Sequence, residues 1–527
     1  MRVLSAQPID ITRAFLWKIS VGQALKWRAV IIEVREVTMP KNVRNLSQLA
    51  FTKKSMKKMG YRVIDMIVEH HTSIRNKKVR NRYDGTTSDS FLSIPPPRVG
   101  ESPERVLKII EQHITRTLTH IDHPRYFAFI PGPAHYVGAL ADTIASGFNI
   151  FASTWFDAAA AAQIETTVIG WLTNLFGFDK QAGGCFTSGG SASNLSGLAV
   201  ARQVMLGGRW EDATIYASDQ THACIRKGLR ILGFPMDNFR ELVSDSNCQL
   251  PVDLLRQAIQ RDRKRGKRPV CVIANAGTTN TGAIDSIDSI ANVCELEGLW
   301  LHVDGAFGSA AALSRQHQQA FRGLGRAHTL VINPHKWLFQ PLDSSILIVR
   351  DAHWLIQTFS VSAEYLQTLE TKDVNYFDRG IQLSRSFRAL KFWMTAKILG
   401  LNAITKAIEH GIKLAEYAQS MAAKFPDVQV TSDAQLAIVT FRFFAKEMTE
   451  ADIDCWNEGI AKTITDSGFA VVCTTKLKGK TVLRFCTIHP QTTRQDIDET
   501  IRRLVTIARQ LKRTLAGEGL EPPTKGL

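Results

Sequence analysis

No stretch of the chain carries the roughly 18 to 20 consecutive apolar residues that a bilayer crossing needs. The longest apolar runs, VCVIANAG (270–277) and SSILIVRD (344–351), stop far short, so no membrane span is expected. Cysteine is sparse and scattered, eight residues in 527, with no CxxC pair and no metal-ligand spacing. That argues against a disulfide framework or a zinc ribbon and for thiols in a reducing compartment, so a cytoplasmic location is expected. Neither a Walker A loop nor a GxGxxG fingerprint occurs, which weakens nucleotide readings. Internal repeats and low-complexity tracts are missing as well.

What is present is a composition of 44% hydrophobic and 22% charged residues, enough for a large core and two or three domains. The formal net charge of +16 raises the question of nucleic acid. Its sharpest basic run, RDRKRGKR (261–268), follows the helical PVDLLRQAIQ with no aromatic platform or groove-reading helix beside it. It is therefore read as a solvated helix end, where cations complement the dipole, and no nucleic-acid partner is expected. The surplus charge instead helps draw in an anionic cofactor or substrate.

Residues 1–38 form an uncertain extension: AFLWKISVGQALKWRAVIIEV (14–34) mixes apolar and basic residues but lacks a signal peptide's uninterrupted apolar region, and Met39 is an alternative start. A helical N-terminal region is expected over 39–130, with helical spacing at 48–75 and an extended SIPPPRVGE (93–101) ahead of SPERVLKIIEQHI. Over 131–392, short apolar runs at 214–219, 270–277, 299–307, 328–334 and 344–351 alternate with helical stretches. That pattern predicts an α/β large domain with a buried, mostly parallel sheet, whose ligands collect at the carboxyl ends of the strands. Residues 393–527 read as a smaller α+β domain, with AVVCTTKLKGKTVLRFCTI as its hairpin.

Three strand ends carry chemistry. FTSGGSASNLSGLAVAR (186–202) is a Gly/Ser turn entering a helix, which would point free amides and the Ser191 and Ser193 hydroxyls at an anion such as phosphate. Asp304, in LHVDGAFG, ends an apolar strand, where a carboxylate either caps a turn or holds a buried cation. Lys336, in INPHKWLFQP, ends the next strand, and burial there would depress its pKa and make the amine a nucleophile. Taken singly, each has an ordinary alternative as helix cap, turn or salt-bridge partner. Together they ask for one ligand with a phosphate, a cationic ring nitrogen and an aldehyde, which is pyridoxal 5'-phosphate. His222, in SDQTHACIRKGL, also follows a strand and is placed to stack on such a ring.

On these and further motifs the sequence resembles the group II pyridoxal-phosphate-dependent amino acid decarboxylases, which include aromatic-L-amino-acid, histidine and glutamate decarboxylases. The resemblance covers about residues 50–510 and is carried by HPRYFAFIP (123–131), FTSGGSASNL, SDQTHACIRKG, NAGTTNTGAID (275–285), HVDGAFG, NPHKW and SRSFRALKFW (384–393). It implies a type I, aspartate-aminotransferase-like fold and a homodimer. It implies Lys336 as the covalent carrier of the cofactor, Asp304 as partner of the ring nitrogen, and His222 as the stacking ring. Thr279 and Ala306 would touch the ring, and Ser191, Ala192 and Asn333 the phosphate. His335 is placed near the substrate carboxylate. RDAHWLIQTFSVSAEYLQTLETKDVNYFDRG (350–380) resembles the family's catalytic loop, whose proton-delivering tyrosine matches Tyr365; relatives that form aldehydes resemble the pattern with phenylalanine. The substrate pocket is expected to include Phe129, Ile130, Phe151 and Ser153, fewer aromatics than usual, while Gly305 and Phe307 stand where alanine and tyrosine are more usual. The implied reaction is α-decarboxylation of an L-amino acid to an amine and carbon dioxide, an aromatic substrate being first and acidic or diamino acids next. Aldehyde synthase or aminotransferase chemistry on the same fold is the alternative.

Overall fold

The computed structural model describes residues 50–83, 92–130, 132–208, 210–360 and 373–517, with residues 514–517 described by backbone alone. Internal contacts divide the chain into a unit ending at Tyr61 and a second unit from Arg62 onward. The described part of the first is the opening of the helix Lys53–Ser73, and all that follows concerns the second.

Seven strands, β1 (Gly183–Thr187), β2 (Ala213–Ser218), β3 (Phe239–Leu242), β4 (Arg268–Asn275), β5 (Trp300–Asp304), β6 (Thr329–Ile332) and β7 (Ser345–Val349), form one sheet in the order β1-β7-β6-β5-β4-β2-β3. β3, β2, β4, β5 and β6 pair in parallel, and β7 runs against both β6 and β1. Every residue of β1, β2, β5, β6 and β7 is buried, as expected of apolar strands covered on both faces. β5 and β6 stop short of their apolar runs, because Ala306, Phe307 and Asn333 leave the sheet to line a cavity. The helix Gly190–Leu206 lies on β5, β6 and β7 through the small, buried Ser193, Ser196 and Gly197.

A second, wholly antiparallel sheet has the order β10-β11-β9-β8, from β8 (Val428–Gln435), β9 (Ile438–Phe443), β10 (Cys473–Leu477) and β11 (Lys480–Cys486). The β10–β11 turn places Lys478 (φ 50°) and Gly479 (φ 80°) in the left-handed region, the geometry that closes a two-residue hairpin. Its core includes Phe441, Phe443, Trp456 and Phe485, packed with residues of the helices Leu401–Ala422, Glu450–Ser467 and Arg494–Gly517. Phe127 joins that core, stacked on Phe485 at 4.0 Å, and its backbone bonds to Val471 and Cys486. This tie sets the segment after His123 beside β11.

Beneath β1, the Arg385 Nη2 donates to Glu165 Oε1 at 2.6 Å and to the Phe186 carbonyl at 3.0 Å, and Nη1 donates to the Ala152 carbonyl at 3.0 Å. Glu165 Oε1 also accepts the Phe186 N–H at 2.8 Å, and both side chains are buried. Removing one partner strands the other charge away from water, so Arg385→Met and Glu165→Gln are each expected to lower stability by about 3–5 kcal/mol, with the double variant well short of the sum. Urea unfolding checks this; single variants within about 1 kcal/mol of wild type would contradict it.

Candidate active site

The carboxyl ends of β1, β2, β4, β5 and β6 converge on a cavity of about 710 Å³. The local reason is the topology: parallel strands deliver their following loops to one edge. Lys336 lies in a turn closed by its own N–H bonding the Asn333 carbonyl at 2.9 Å. The next residue, Trp337, is fully buried and stacks on Phe307 at 4.9 Å, which anchors the turn while the lysine faces the cavity. Among the described residues no ion pair holds its ammonium. Loss of water lowers the Lys336 pKa, against the pull of Asp304 and with a smaller push from Arg484.

Asp304, at the end of β5, is buried with both oxygens engaged: Oδ2 accepts from Asn194 Nδ2 at 3.1 Å and Oδ1 from the Ala306 N–H at 3.1 Å. A chain of donors fixes that arrangement. The Trp300 indole, which can only donate, bonds Thr329 Oγ1 at 3.0 Å; that hydroxyl lies 2.8 Å from His302 Nδ1, and His302 Nε2 lies 2.8 Å from Asn194 Oδ1. His302 then donates from Nε2, which turns the Asn194 amide toward the carboxylate. Burial holds the His302 pKa down to about 4, so the ring is the neutral donor that this chain requires.

No side chain caps the helix Gly190–Leu206; the Ala192 and Ser193 amides bond the Gly189 carbonyl at 2.9 and 3.0 Å, which among the described residues leaves those of Gly190 and Ser191 for a ligand. Gly190 is needed there: an added Cβ would stand 2.7 Å from Asn333 Nδ2. Ser191 and Ala192 line the cavity. Ser193 does not face it; it is buried, its hydroxyl 2.7 Å from that of Thr187 and 2.8 Å from that of Ser345, because positions two apart on a helix point to different faces. Asn333 is seated by Ser345, whose hydroxyl donates to Oδ1 at 2.6 Å. His222 caps the helix Ala223–Ile231 by accepting the Cys224 N–H at Nδ1 (3.2 Å), and its ring lines the cavity with pKa lowered by loss of water. His335 accepts the Ser344 N–H at 3.1 Å, and burial brings its pKa to about 4.

Thr279, Ala306, Phe129 and Ile130 complete the sequence-derived residues that the cavity brings together. Phe151 and Ser153 are not among its lining. Phe151 lies on another cavity with Asp142 and Asp343, and the Ser153 hydroxyl is buried, accepting the Arg385 N–H at 3.0 Å, which locks that segment under the Arg385 network. Tyr365 falls outside the described residues. Sequence reasoning missed Asn194, Tyr126, Cys224 and Arg484. Arg484 comes from β11 and is 3% exposed; Nη1 donates to the Ala128 carbonyl at 2.7 Å, while Nε and Nη2 have no hydrogen-bond partner among the described residues. A lone cation in the apolar TVLRFC was its available signal.

Comparison with known proteins agrees with this geometry. A family model described as pyridoxal-dependent decarboxylase conserved domain matches residues 92–444. An aromatic-L-amino-acid decarboxylase of Bacillus atrophaeus is 40% identical over 467 residues, 88% of this chain and 97% of the relative. Tyrosine decarboxylase 2 of Narcissus pseudonarcissus is 31% identical, covering 85% and 92%. A solved structure of Oryza sativa TDC with PLP and tryptamine superposes with a TM-score of 0.83 at 24% identity, over 88% of this chain and 99% of that one, and shows the shared type I fold.

Burial holds five histidines, His123, His302, His328, His335 and His489, at about 4, well under the ordinary 6.5. As pH falls below about 6.5 the unfolded chain takes up protons that the folded chain refuses, so their contribution is full above that pH and is lost toward pH 4. Asp285, pushed up to about 6 by burial, and Asp142, also raised by burial, act in the opposite sense but are two groups against five. Urea unfolding at about pH 7 and about pH 5 is therefore expected to show a loss of several kcal/mol; equal stability at the two would refute the buried neutral histidines.

Proposed function

Because the chain belongs to the pyridoxal-dependent decarboxylase family, carboxy-lyases that act on amino acids with pyridoxal 5'-phosphate, we propose that its substrate is an aromatic L-amino acid, released as the amine and carbon dioxide. The observation that carries the site assignment is Lys336 and Asp304 ending adjacent strands β6 and β5 in one cavity with an uncapped helix start. What supports the aromatic substrate is the 40% identical relative named for it, together with the wall of Tyr126, Phe129, Ile130 and Phe307.

The residues fit the cofactor. Lys336 offers an amine for its aldehyde, Asp304 an acceptor-only carboxylate for its ring N–H, and the first turn of Gly190–Leu206, with Asn333 seated on Gly190, a place for its phosphate. When bound, the cofactor supplies an electron sink for the bond that breaks at the α-carbon. The chain supplies the rest. The lowered pKa of Lys336 leaves more of it as free amine, ready to exchange with the substrate amine. His222 lines the cavity, and because its Nδ1 accepts the Cys224 N–H its Nε2 carries the ring proton. Arg484 adds an unpaired cation facing the anions the cavity takes. Apolar walls keep water away, which favours loss of a charged carboxylate as neutral gas. His335 near the carboxylate and Tyr365 as proton donor to the α-carbon complete the proposal.

A homodimer in the cytoplasm is part of the same proposal. Its support is the exposed apolar group of Phe148 (79%) and Phe156 (76%) beside Phe151, which a second copy would cover, and eight cysteines that are all free.

The deciding measurement is carbon dioxide release from a panel of L-amino acids. Aromatic substrates are expected to exceed acidic and diamino acids by about tenfold or more in kcat/KM; the reverse order overturns the substrate class. Lys336→Ala should lose about three orders of magnitude or more and give no borohydride-fixed cofactor. Tyr365→Phe should divert product to aldehyde and peroxide, and wild type making only these would make the chain an aldehyde synthase. Gly190→Ala, which crowds Asn333, should weaken cofactor binding by about tenfold in an absorbance titration with the fold intact.

A further inference from the structure

A second cluster of chemistry lies away from the decarboxylase cavity's strand ends, where the helix Lys53–Ser73 finishes and the chain returns after the Arg80↔Thr119 bridge. One donor atom from each of His70, His120 and Asp122 lies within 4.8 Å of the others. His70 Nε2 is 2.6 Å from Asp122 Oδ2, and the His70 and His120 rings are 5.3 Å apart. His120 is 4% exposed, yet its Nδ1 has no hydrogen-bond partner among the described residues. A buried ring nitrogen left unpaired is costly, and a cation shared with the neighbouring carboxylate satisfies it.

Asp122 is also held from outside the cluster. His489 accepts the Gln491 N–H at Nδ1 (3.0 Å), which leaves Nε2 to donate to the Asp122 carbonyl at 2.9 Å. Such outer bonds fix ligand geometry in metal sites.

We propose that His70, His120 and Asp122 bind one divalent transition-metal ion of the zinc type. Two imidazoles and one carboxylate suit zinc or cobalt and not magnesium or calcium, which ask for oxygen alone. Tetrahedral ligands at about 2.0–2.1 Å stand about 3.3 Å apart, so entry of the ion opens the His70–Asp122 contact by less than about 1 Å. His70 gives up its Nε2 proton on binding. Lys77, whose ammonium lies 3.5 Å from His70 Nδ1, then turns its flexible arm away as that nitrogen becomes the N–H. Asp122 also lines a cavity with His71, His135 and His489, which gives solvent a route to the ion. Ile121, between two of the ligands, lines the decarboxylase cavity, so the ion clamps one wall of that cavity to the end of the helix.

The test uses holoenzyme stripped with a chelator, loaded with Zn²⁺ or Co²⁺, desalted and measured for metal by mass spectrometry, with thermal melting alongside. One equivalent retained by wild type, tetrahedral visible bands with Co²⁺, and a zinc-dependent rise in Tm are expected. Asp122→Asn and His70→Ala should each weaken binding by about tenfold or more and lose the Tm response; both residues are partly exposed, so folding is kept, whereas His120 is avoided as a buried position. Wild type without stoichiometric metal, or either variant within about twofold of wild type, overturns the site.

Discussion

Everything in the cavity depends on a carboxylate seated at the end of a buried strand with a donor on each oxygen. Asp304 stands where water cannot solvate it, and an ion there is tolerated only if each oxygen is given a donor. The fold supplies them from different parts of the chain: a backbone amide two residues on, and the Asn194 amide from a helix lying across the sheet. Asn194 in turn is aimed by His302 and Thr329, on β5 and β6. Because a carboxylate can only accept, Asn194 presents Nδ2 to Asp304 and Oδ1 to His302, so His302 donates from Nε2 and the chain ends with N–H groups facing the carboxylate. Reversing any link would present an acceptor to an anion.

That requirement explains features of the fold that packing alone leaves open. The helix Gly190–Leu206 must approach the sheet closely for Asn194 to reach Asp304, and Gly197 permits it: an added Cβ would stand 2.8 Å from His302 Cε1. The same close approach aims the helix's uncapped start at the strand ends. The polar chain and the anion-binding turn are thus two consequences of one helix position. The second sheet closes the cavity from the other side, bringing Arg484 on β11 and, through Phe127, the wall formed by Tyr126, Phe129 and Ile130.

How much of this was legible follows from how local each signal is. Lys336, Asp304 and His222 each follow an apolar run within a few residues, so their arrival at one sheet edge could be read from the strand pattern. β1 was not readable as a strand, since GGCFT begins with two glycines; its reason is close packing, because a Cβ on Gly184 would stand 2.3 Å from the Leu347 carbonyl oxygen of β7. Ser193 looked equivalent to Ser191 until helical geometry sent it inward to Thr187 and Ser345. Asn194 and Arg484 escaped because their partners are distant in sequence: Asn194 acts on Asp304, and Arg484 bonds Ala128. Phe151 and Ser153 were assigned by resemblance to a pocket that this chain does not itself build around them.

The cavity also has to reconcile opposite demands on two neighbouring groups. Asp304 is held by fixed donors, and Lys336 is left without a tight partner among the described residues. The structure separates them by hydrogen bonding and not by exposure: the acid receives fixed donors, whereas the lysine has no ion pair among the described residues. Arg484 adds to the effect, since its guanidinium disfavours a second cation nearby and lowers the lysine further. Asp304 opposes that fall, and no tight salt bridge among the described residues holds the amine. The asymmetry between a donor-rich carboxylate and an unpartnered amine is what makes two adjacent strand ends into a reactive site instead of a buried ion pair.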